Sequence, residues 1–165
     1  MPLLEFGQVV ADRFVTVADE DALPDAPAVV PLSRAIRDGA ALAGRNAELG
    51  VRVASTTQPE DIAPLLDRVT LVAVEFPKFR DGRGFTIARA LRERYGYTGQ
   101  IRAVGHVLPD QHSQLLRCGF TTVEVPDGAD LAPWQAALVA FRVAYQPDVS
   151  GSQPLSGLRR HRRVS

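Results

Sequence analysis

A loop rich in basic residues and glycine carries the side chains of this chain that are best suited to chemistry. Its sequence is Phe76-Pro-Lys-Phe-Arg-Asp-Gly-Arg-Gly-Phe85, and its candidate ligand-binding residues are Lys78, Arg80, Asp81, Gly82, Arg83 and Gly84. Arginine offers a planar fork that matches phosphate, sulfate or carboxylate, whereas lysine offers a point charge. Glycine lets the backbone approach a ligand, and the N–H groups at the start of a helix favour negative charge. The loop therefore predicts an anion site.

Two features of this loop leave its role open. Asp81 could orient an arginine or the loop backbone, but Asp81-Gly82 could equally form a surface turn whose charges are merely solvated. The spacing is not that of a Walker loop, and Gly82-x-Gly84 lacks the last glycine of a dinucleotide fingerprint. The loop therefore gives little support for a nucleotide.

Arg102 is a second candidate, because it lies within a predicted strand, Ile101–Val104, where a charged residue is unusual. It could reach the same crevice as Arg83 and complete a two-arginine clamp. The favoured interpretation is a structural ion pair with Glu75 or Glu124, because buried arginines generally need such a partner.

A histidine and a cysteine complete the set of candidates. His106 could transfer protons near neutral pH with Asp110 orienting it, but a loop histidine without a nucleophile is more often solvated or hydrogen-bonded. Cys118 could be a thiolate favoured by Arg117. It falls at a predicted helix C-terminus, however, where the helix dipole disfavours an anion, so a buried structural cysteine is the better interpretation.

A repeating strand–helix pattern positions these residues. Strands are predicted to begin near residues 51, 71, 101 and 122, each followed by a helix. Helices are expected after a capping box at Thr57-Gln-Pro-Glu60, from Thr86 as N-cap, after Pro109, and from Asp130 through Tyr145. This spacing is typical of βα units with parallel strands and right-handed crossovers.

The pattern predicts an α/β fold with a mainly parallel sheet flanked by helices. We favour an open three-layer sheet over a partial barrel, because 165 residues is short for a complete barrel of ~250. Both architectures place ligands outside the carboxyl ends of the strands, which points to the loops 76–85, 105–109 and 126–130. An N-terminal β-hairpin is expected from Gln8–Ala11 and Phe14–Val17, joined at Asp12-Arg13.

Composition indicates a globular chain with a single α/β domain over residues 1–148 and a flexible basic tail over 149–165. No window approaches the ~18 apolar residues of a membrane span, and the N-terminus lacks a signal-peptide pattern. One cysteine favours a reducing cytoplasm, and the three histidines show no metal-ligand spacing. The net charge is zero, but the last 15 residues carry four arginines and no acidic residue. No segment outside this tail interleaves aromatic with basic residues, so nucleic-acid binding is not expected.

The chain resembles a bacterial family whose members carry a domain of unknown function. The resemblance rests on Phe76–Phe85, on 88–94, on Arg102–Gly105, on Asp110-Gln111 and on Arg117–Phe120. Genes of that family often accompany those of assimilatory sulfite reductase, and its members are commonly described as oxidoreductases of sulfite reduction. The family pattern has an aspartate where this chain has His106, which weakens a catalytic role for that histidine.

The resemblance implies a cytoplasmic accessory protein of assimilatory sulfite reduction. It would bind an oxyanion, or the acidic surface of a redox partner, through Lys78, Arg80, Arg83 and Arg102. A single cysteine cannot hold an iron–sulfur cluster, so any redox cofactor is expected on a partner such as sulfite reductase or another sulfate-assimilation enzyme. A nucleotide-dependent oxidoreductase or transferase of the same pathway, and a structural partner protein without a ligand, remain as alternatives.

Overall fold

Eight strands and six helices make up the part of the chain that this computed structural model describes, residues 1–78 and 80–140. The strands are β1 (Leu3–Glu5), β2 (Gln8–Val10), β3 (Val15–Thr16), β4 (Ala28–Pro31), β5 (Leu49–Ala54), β6 (Leu71–Phe76), β7 (Gln100–Gly105) and β8 (Thr122–Glu124). The helices are α1 (Leu32–Arg37), α2 (Gly39–Ala43), α3 (Pro59–Ile62), α4 (Arg83–Glu93), α5 (His112–Arg117) and α6 (Ala132–Ala140). Short 3₁₀ turns follow α3 and precede α5.

All eight strands form one mixed sheet in the order β2-β1-β8-β7-β6-β5-β4-β3. From β3 to β8 neighbours in sequence are neighbours in space and run parallel. Connections between such parallel strands are right-handed as a rule, which places the helices of successive units on one face of the sheet. The sheet curls into a half-barrel with flanking helices. The α/β prediction is confirmed, but the preferred open three-layer sheet is wrong and the partial barrel is correct. A length of 165 residues excludes only a complete barrel, because a half-barrel has half as many βα units and needs about half as many residues.

The two faces of the sheet bury different clusters. On the outer face Val53, Val74 and Phe76 pack with helical residues such as Ile87 and Leu91. On the inner face the alternate positions form a smaller cluster with a residue from outside the sheet: Phe14, Val29, Leu71, Ala73 and Val104. Because side chains alternate along a strand, the charged residues at inward positions share the face that Phe14 covers.

The N-terminal hairpin is confirmed, but its strands differ from the predicted ones. β1 pairs with β2 across Phe6-Gly7, and both turn residues have positive φ values of 47° and 79°. Positive φ at both central positions is typical of the type I′ turn that closes two-residue hairpins. The predicted pairing of Gln8–Ala11 with Phe14–Val17 is wrong, because β3 lies at the opposite edge of the sheet beside β4.

Residues 11–14 therefore cross the inner face from one edge strand to the other, and we call them the strap. Phe14 covers the inner apolar cluster, and Arg13 pairs with Glu48 at 2.8 Å. No helix in the described part of the chain is long and apolar enough to cross a membrane. The predicted tail, and the predicted helical positions Phe141 and Tyr145, lie outside the described residues.

Candidate functional site

The loop after β6 is organised around the Asp81 carboxylate. Its Oδ1 accepts the Arg83 backbone N–H at 3.2 Å and Arg83 Nε at 2.9 Å. Its Oδ2 accepts the Ser55 hydroxyl at 2.6 Å and Arg83 Nη2 at 2.8 Å. A carboxylate has about four acceptor positions, so these donors saturate it. Asp81 thus orients both the arginine and the loop backbone, the first of the two roles that the sequence suggested.

These contacts also set the charge of Asp81. The Arg83 guanidinium, followed by the Ser55 hydroxyl, holds the pKa of this carboxyl far below its usual range, although burial opposes the shift. The Asp81 side chain is only 9% exposed, whereas Arg83 is 62% exposed. Asp81 is therefore a fixed anion that holds an arginine at the surface.

Helix α4 begins at Arg83, with Gly82 as its N-cap, and not after Thr86 as predicted. The earlier start follows from Asp81, because its carboxylate accepts the N–H group of the first helical residue. The protein's own carboxylate thus occupies the helix N-terminus where an external anion was predicted. An external anion would have to bind on another side of Arg83.

A cavity lies beside Arg83 on such a side. Its volume is about 210 Å³, and it is lined by Ser55, Thr56, Thr57, Gln58, Pro59, Arg83, Thr86 and Ile87. It is formed by the loop after β5 and the first turns of α4, at the carboxyl ends of two parallel strands, where barrel-type folds carry their sites. We call this space the Arg83 cavity.

The Arg83 cavity offers one cation and several neutral hydrogen-bonding groups. Asp81 engages Nε and Nη2 of Arg83, and Nη1 has no partner in the described part of the chain. Three threonine hydroxyls and the Gln58 amide line the remaining wall. Each of these groups can donate to an oxygen acceptor, so the arrangement can bind a small anion by charge and by hydrogen bonds together.

Lys78 and Arg80 lie on the same loop but not in the lining of the Arg83 cavity. Both are exposed, and the carbonyl of Lys78 accepts the Asp81 N–H at 3.0 Å within the turn. Lys78 and Arg80 therefore add two basic side chains to the exposed surface of the loop beside Arg83.

Of the two glycines of the motif, Gly84 has a structural explanation that the sequence interpretation missed. An added Cβ at Gly84 would lie 2.5 Å from Phe76 Cζ, and Phe76 is fully buried. Its ring packs at 5.4 Å from Phe85 and 5.8 Å from Phe120, centroid to centroid. Gly84 therefore makes room for an aromatic cluster and not for a ligand. Around Gly82 an added Cβ would meet nothing within 4 Å.

Arg102 lies elsewhere, on the inner face of the sheet, and only 3% of its side chain is exposed. Its Nη1 and Nη2 bind the two carboxylate oxygens of Asp12 at 2.7 and 2.8 Å, and Nη1 also lies 3.3 Å from Glu124 Oε1. The favoured ion pair is thus present at Glu124, whereas Glu75 pairs with Arg52 instead.

The structure does not bring Arg102 and Arg83 together. In the sheet Arg102 is in register with Ala73 and Thr122, before the carboxyl ends of the strands. The cavity that Arg102 lines, of about 360 Å³, contains residues of the strap and of β1 but none of the loop after β6. Arg102 fastens the strap, and the two-arginine clamp does not form.

His106 and Cys118 occupy positions that suit structural roles. The His106 side chain is exposed, and within the described residues no hydrogen bond joins it to Asp110. The backbone N–H of His106 donates to the Phe76 carbonyl at 2.8 Å. Cys118 lies at the C-cap of α5, the helix C-terminus where it was predicted, but it is half-buried where a buried cysteine was expected. Among the described residues, no group of three or more His, Cys, Asp or Glu side chains is placed to hold a metal ion.

The histidine that the sequence interpretation passed over is His112, which is 1% exposed. Its Nδ1 lies 2.9 Å from the Trp134 carbonyl oxygen, and its ring packs edge-on against the Trp134 indole. Burial lowers the pKa of this imidazole, so it favours the neutral form and serves the packing of α5 against α6. Its position at an apolar helix junction gave no sequence signal for chemistry.

The fold and site define a half-barrel βα protein with a basic loop and a hydroxyl-lined cavity at the carboxyl ends of its strands. The chain belongs to the bacterial family described as "Bacterial protein of unknown function (DUF934)", whose profile matches residues 50–156. The match begins within β5 and includes the whole β6–α4 loop, and the resemblance to a bacterial domain of unknown function is thereby confirmed. No protein among the curated sequences matches the chain.

Proposed function

We propose that this chain binds a small oxyanion in the Arg83 cavity and serves as a cytoplasmic accessory protein of assimilatory sulfite reduction. The observation that carries the oxyanion part is the cation of the cavity: Arg83 is fixed by Asp81, which is itself fixed by Ser55 at 2.6 Å. A cation held in place before a ligand arrives loses little conformational freedom on binding, and this favours affinity.

The size of the cavity supports a small oxyanion over a nucleotide. Its volume of about 210 Å³ falls below the roughly 300–1,000 Å³ of pockets that hold drug-sized ligands. Sulfite and sulfate carry oxygen acceptors on all sides, which suits a lining of one guanidinium, several hydroxyls and an amide. A nucleotide-dependent enzyme is therefore the weaker alternative for this site.

The sulfur-assimilation setting rests on the resemblance of the β6–α4 loop to the family described above. In that setting the exposed Lys78 and Arg80 would contact an acidic surface on the partner that carries the redox cofactor. Opposite charges on two proteins speed their encounter, and the contact would weaken at high ionic strength.

We expect sulfite or a related oxyanion to raise the melting temperature of the protein, and Arg83→Ala to abolish that shift. A ligand at 100 times its Kd stabilises a protein by about 2.7 kcal/mol, which corresponds to a shift of several degrees in a domain of this size. The measurement is a thermal-shift panel with sulfite, sulfate, phosphate, flavin, NADPH and phosphoadenylylsulfate. Thr57→Val should weaken the response while leaving the Arg83–Asp81 pair intact.

Arg94→Ala is the matched control for this panel. Arg94 is also 62% exposed and pairs with a carboxylate, Glu60, at 2.9 Å, but it does not line the Arg83 cavity. Its loss should leave the oxyanion shift unchanged. A shift that survives Arg83→Ala would remove the assigned site, and a selective response to a nucleotide would favour the enzyme alternative.

One observation favours a second candidate, the purely structural role. Asp81 already pairs with Arg83 and saturates its own acceptor positions, so the loop could serve only to cap α4 and tie it to Ser55. In that case Arg83→Ala would lower the melting temperature of the protein, and no member of the panel would shift the wild-type protein.

A further inference from the structure

A second cavity, of about 380 Å³, lies at the opposite end of the half-barrel from the Arg83 cavity. It is enclosed by α2 and by the segments that lead into β5 and β6, so it faces the amino ends of these strands. We call it the amino-end cavity. We infer that it binds a small aromatic monoanion, such as an aromatic carboxylate. This inference is independent of the proposed oxyanion site.

The inner wall of the amino-end cavity is apolar. Leu42, Leu49 and Val69 line it, and each of these side chains is buried in the outer core of the sheet. The volume falls within the roughly 300–1,000 Å³ of small-molecule pockets, which are mostly apolar with a few placed polar groups. The wall would therefore receive the apolar ring of a ligand and remove it from water.

Two guanidinium groups, those of Arg45 and Arg68, stand at the cavity. Arg45 is held in place because its Nη2 donates to the carbonyls of Pro24 and Ala26 at 2.9 and 2.8 Å. The Arg68 guanidinium has no hydrogen-bond or ion-pair partner in the described part of the chain. Arginine both stacks on aromatic faces and pairs with carboxylates, so Arg68 can contact the ring and the anionic group of one ligand.

The charge balance of the lining indicates a single negative charge on the ligand. Glu48 also lines the cavity, but Arg13 binds it at 2.8 Å and so compensates its charge. Asp67 is then the carboxylate left to offset the two arginines. Among the residues that line the cavity itself, the arginines therefore exceed the remaining carboxylates by one, and a monoanion would neutralise that charge.

Gly39 keeps this space open. An added Cβ at Gly39 would meet only Arg68 Nη1, at 3.9 Å. A glycine that begins a helix without being crowded is not explained by packing, since alanine or leucine would favour the helix. Gly39 and Arg68 also line an adjoining groove of about 450 Å³, whose acidic side chains are Asp61 and Glu60, the latter paired with Arg94 at 2.9 Å. Helix α2, which begins at Gly39, lies outside the part of the chain that matches the family model, because that match begins at residue 50.

Calorimetric titration of the full chain with indole-3-acetate and with uncharged indole-3-acetamide tests this inference. We expect indole-3-acetate to bind, and the amide to bind ~tenfold or more weakly, because the loss of a charged hydrogen bond costs at least that factor. Arg68→Gln should reduce indole-3-acetate binding by a similar factor. Gly39→Leu should abolish binding without lowering the melting temperature, since it fills open space.

Two controls separate this site from others. Gly44→Ala changes the other end of α2, where an added Cβ meets only the Ala41 carbonyl at 3.8 Å, and should leave binding unchanged. Arg83→Ala should also leave it unchanged, so failure here and failure of the oxyanion proposal are distinguishable. The inference is overturned by absence of indole-3-acetate binding at millimolar concentration, by equal binding of the amide, or by full binding in Gly39→Leu.

Discussion

Replacing Gly84 with alanine is expected to lower the free energy of unfolding by about 2–3 kcal/mol. The new methyl group would lie 2.5, 2.8 and 3.1 Å from three atoms of the Phe76 ring. This ring cannot move aside, because Phe85 and Phe120 pack against it and no part of it reaches solvent. The gain in helix propensity from glycine to alanine offsets only a part of the cost.

The free energy of unfolding of the Gly84→Ala variant can be measured by urea denaturation, with Gly82→Ala as the matched control. Gly82 belongs to the same loop, but an added Cβ there would meet nothing within 4 Å, and its φ of −76° suits any residue. Its replacement should change the free energy of unfolding by less than about 0.5 kcal/mol. Equal effects of the two substitutions would contradict the assignment of Gly84 to the aromatic cluster.

Arg102→Ala is expected to cost about 2–4 kcal/mol, because removal of one member of a buried ion pair leaves its partners unpaired. The expected loss of stability is smaller than the largest losses known for broken buried ion pairs, because the Asp12 and Glu124 side chains remain 31% and 22% exposed. The substitution also releases the strap that carries Phe14 across the inner face. Arg52→Ala is the control: Arg52 and Glu75 are 41% and 42% exposed, so its loss should cost under about 1 kcal/mol.

The effect of Arg102→Ala should depend on pH in a defined direction. Burial is the largest single influence on the pKa of Asp12, and it raises this pKa. The hydrogen bonds from Arg102 and from the Phe14 N–H together outweigh burial, so the pKa of Asp12 in the folded protein is lowered. The stabilisation is therefore present above the ordinary pKa of an aspartate, near 4, and is lost as pH falls through the folded value. The stability difference between wild type and Arg102→Ala should shrink on acidification. A difference that is constant from neutral to acidic pH would contradict the ion pair.

The central strands could be predicted closely from sequence. β5, β6, β7 and β8 begin at residues 49, 71, 100 and 122, within two positions of the predicted starts. Strands buried on both faces read as short apolar runs, and turn residues bound these runs clearly. The helix predicted to begin at Asp130 begins at Ala132, and the Asp130 carboxylate accepts the N–H of that first helical residue at 3.0 Å, a purely local contact.

The predictions failed where distant contacts decide the structure. Asp12 and Arg102 lie 90 residues apart in sequence, and a segment that read as a hairpin turn became a strap because of that contact. The cap predicted at Thr57 is absent, and the α3 helix that follows has only four residues. Short helices owe their start to tertiary contacts more than to propensity.

The candidate site was predicted in part. The basic loop lies at the carboxyl end of β6 as expected, and Asp81 orients Arg83. Two threonines that line the cavity, Thr56 and Thr57, follow β5 and were not predicted as ligand-binding residues, because sequence alone does not reveal which two loops meet. The signal that could have found them is the rule that adjacent parallel strands end at the same edge of the sheet.

The most direct test of the proposed function is an NMR titration of the isotopically labelled protein with sulfite, with amide chemical shifts followed residue by residue. We expect saturable shifts concentrated in residues 55–58 and 82–87, which surround the Arg83 cavity, and their loss in Arg83→Ala. Absence of saturable shifts, or shifts confined to the region of Arg45 and Arg68, would contradict an oxyanion site at Arg83.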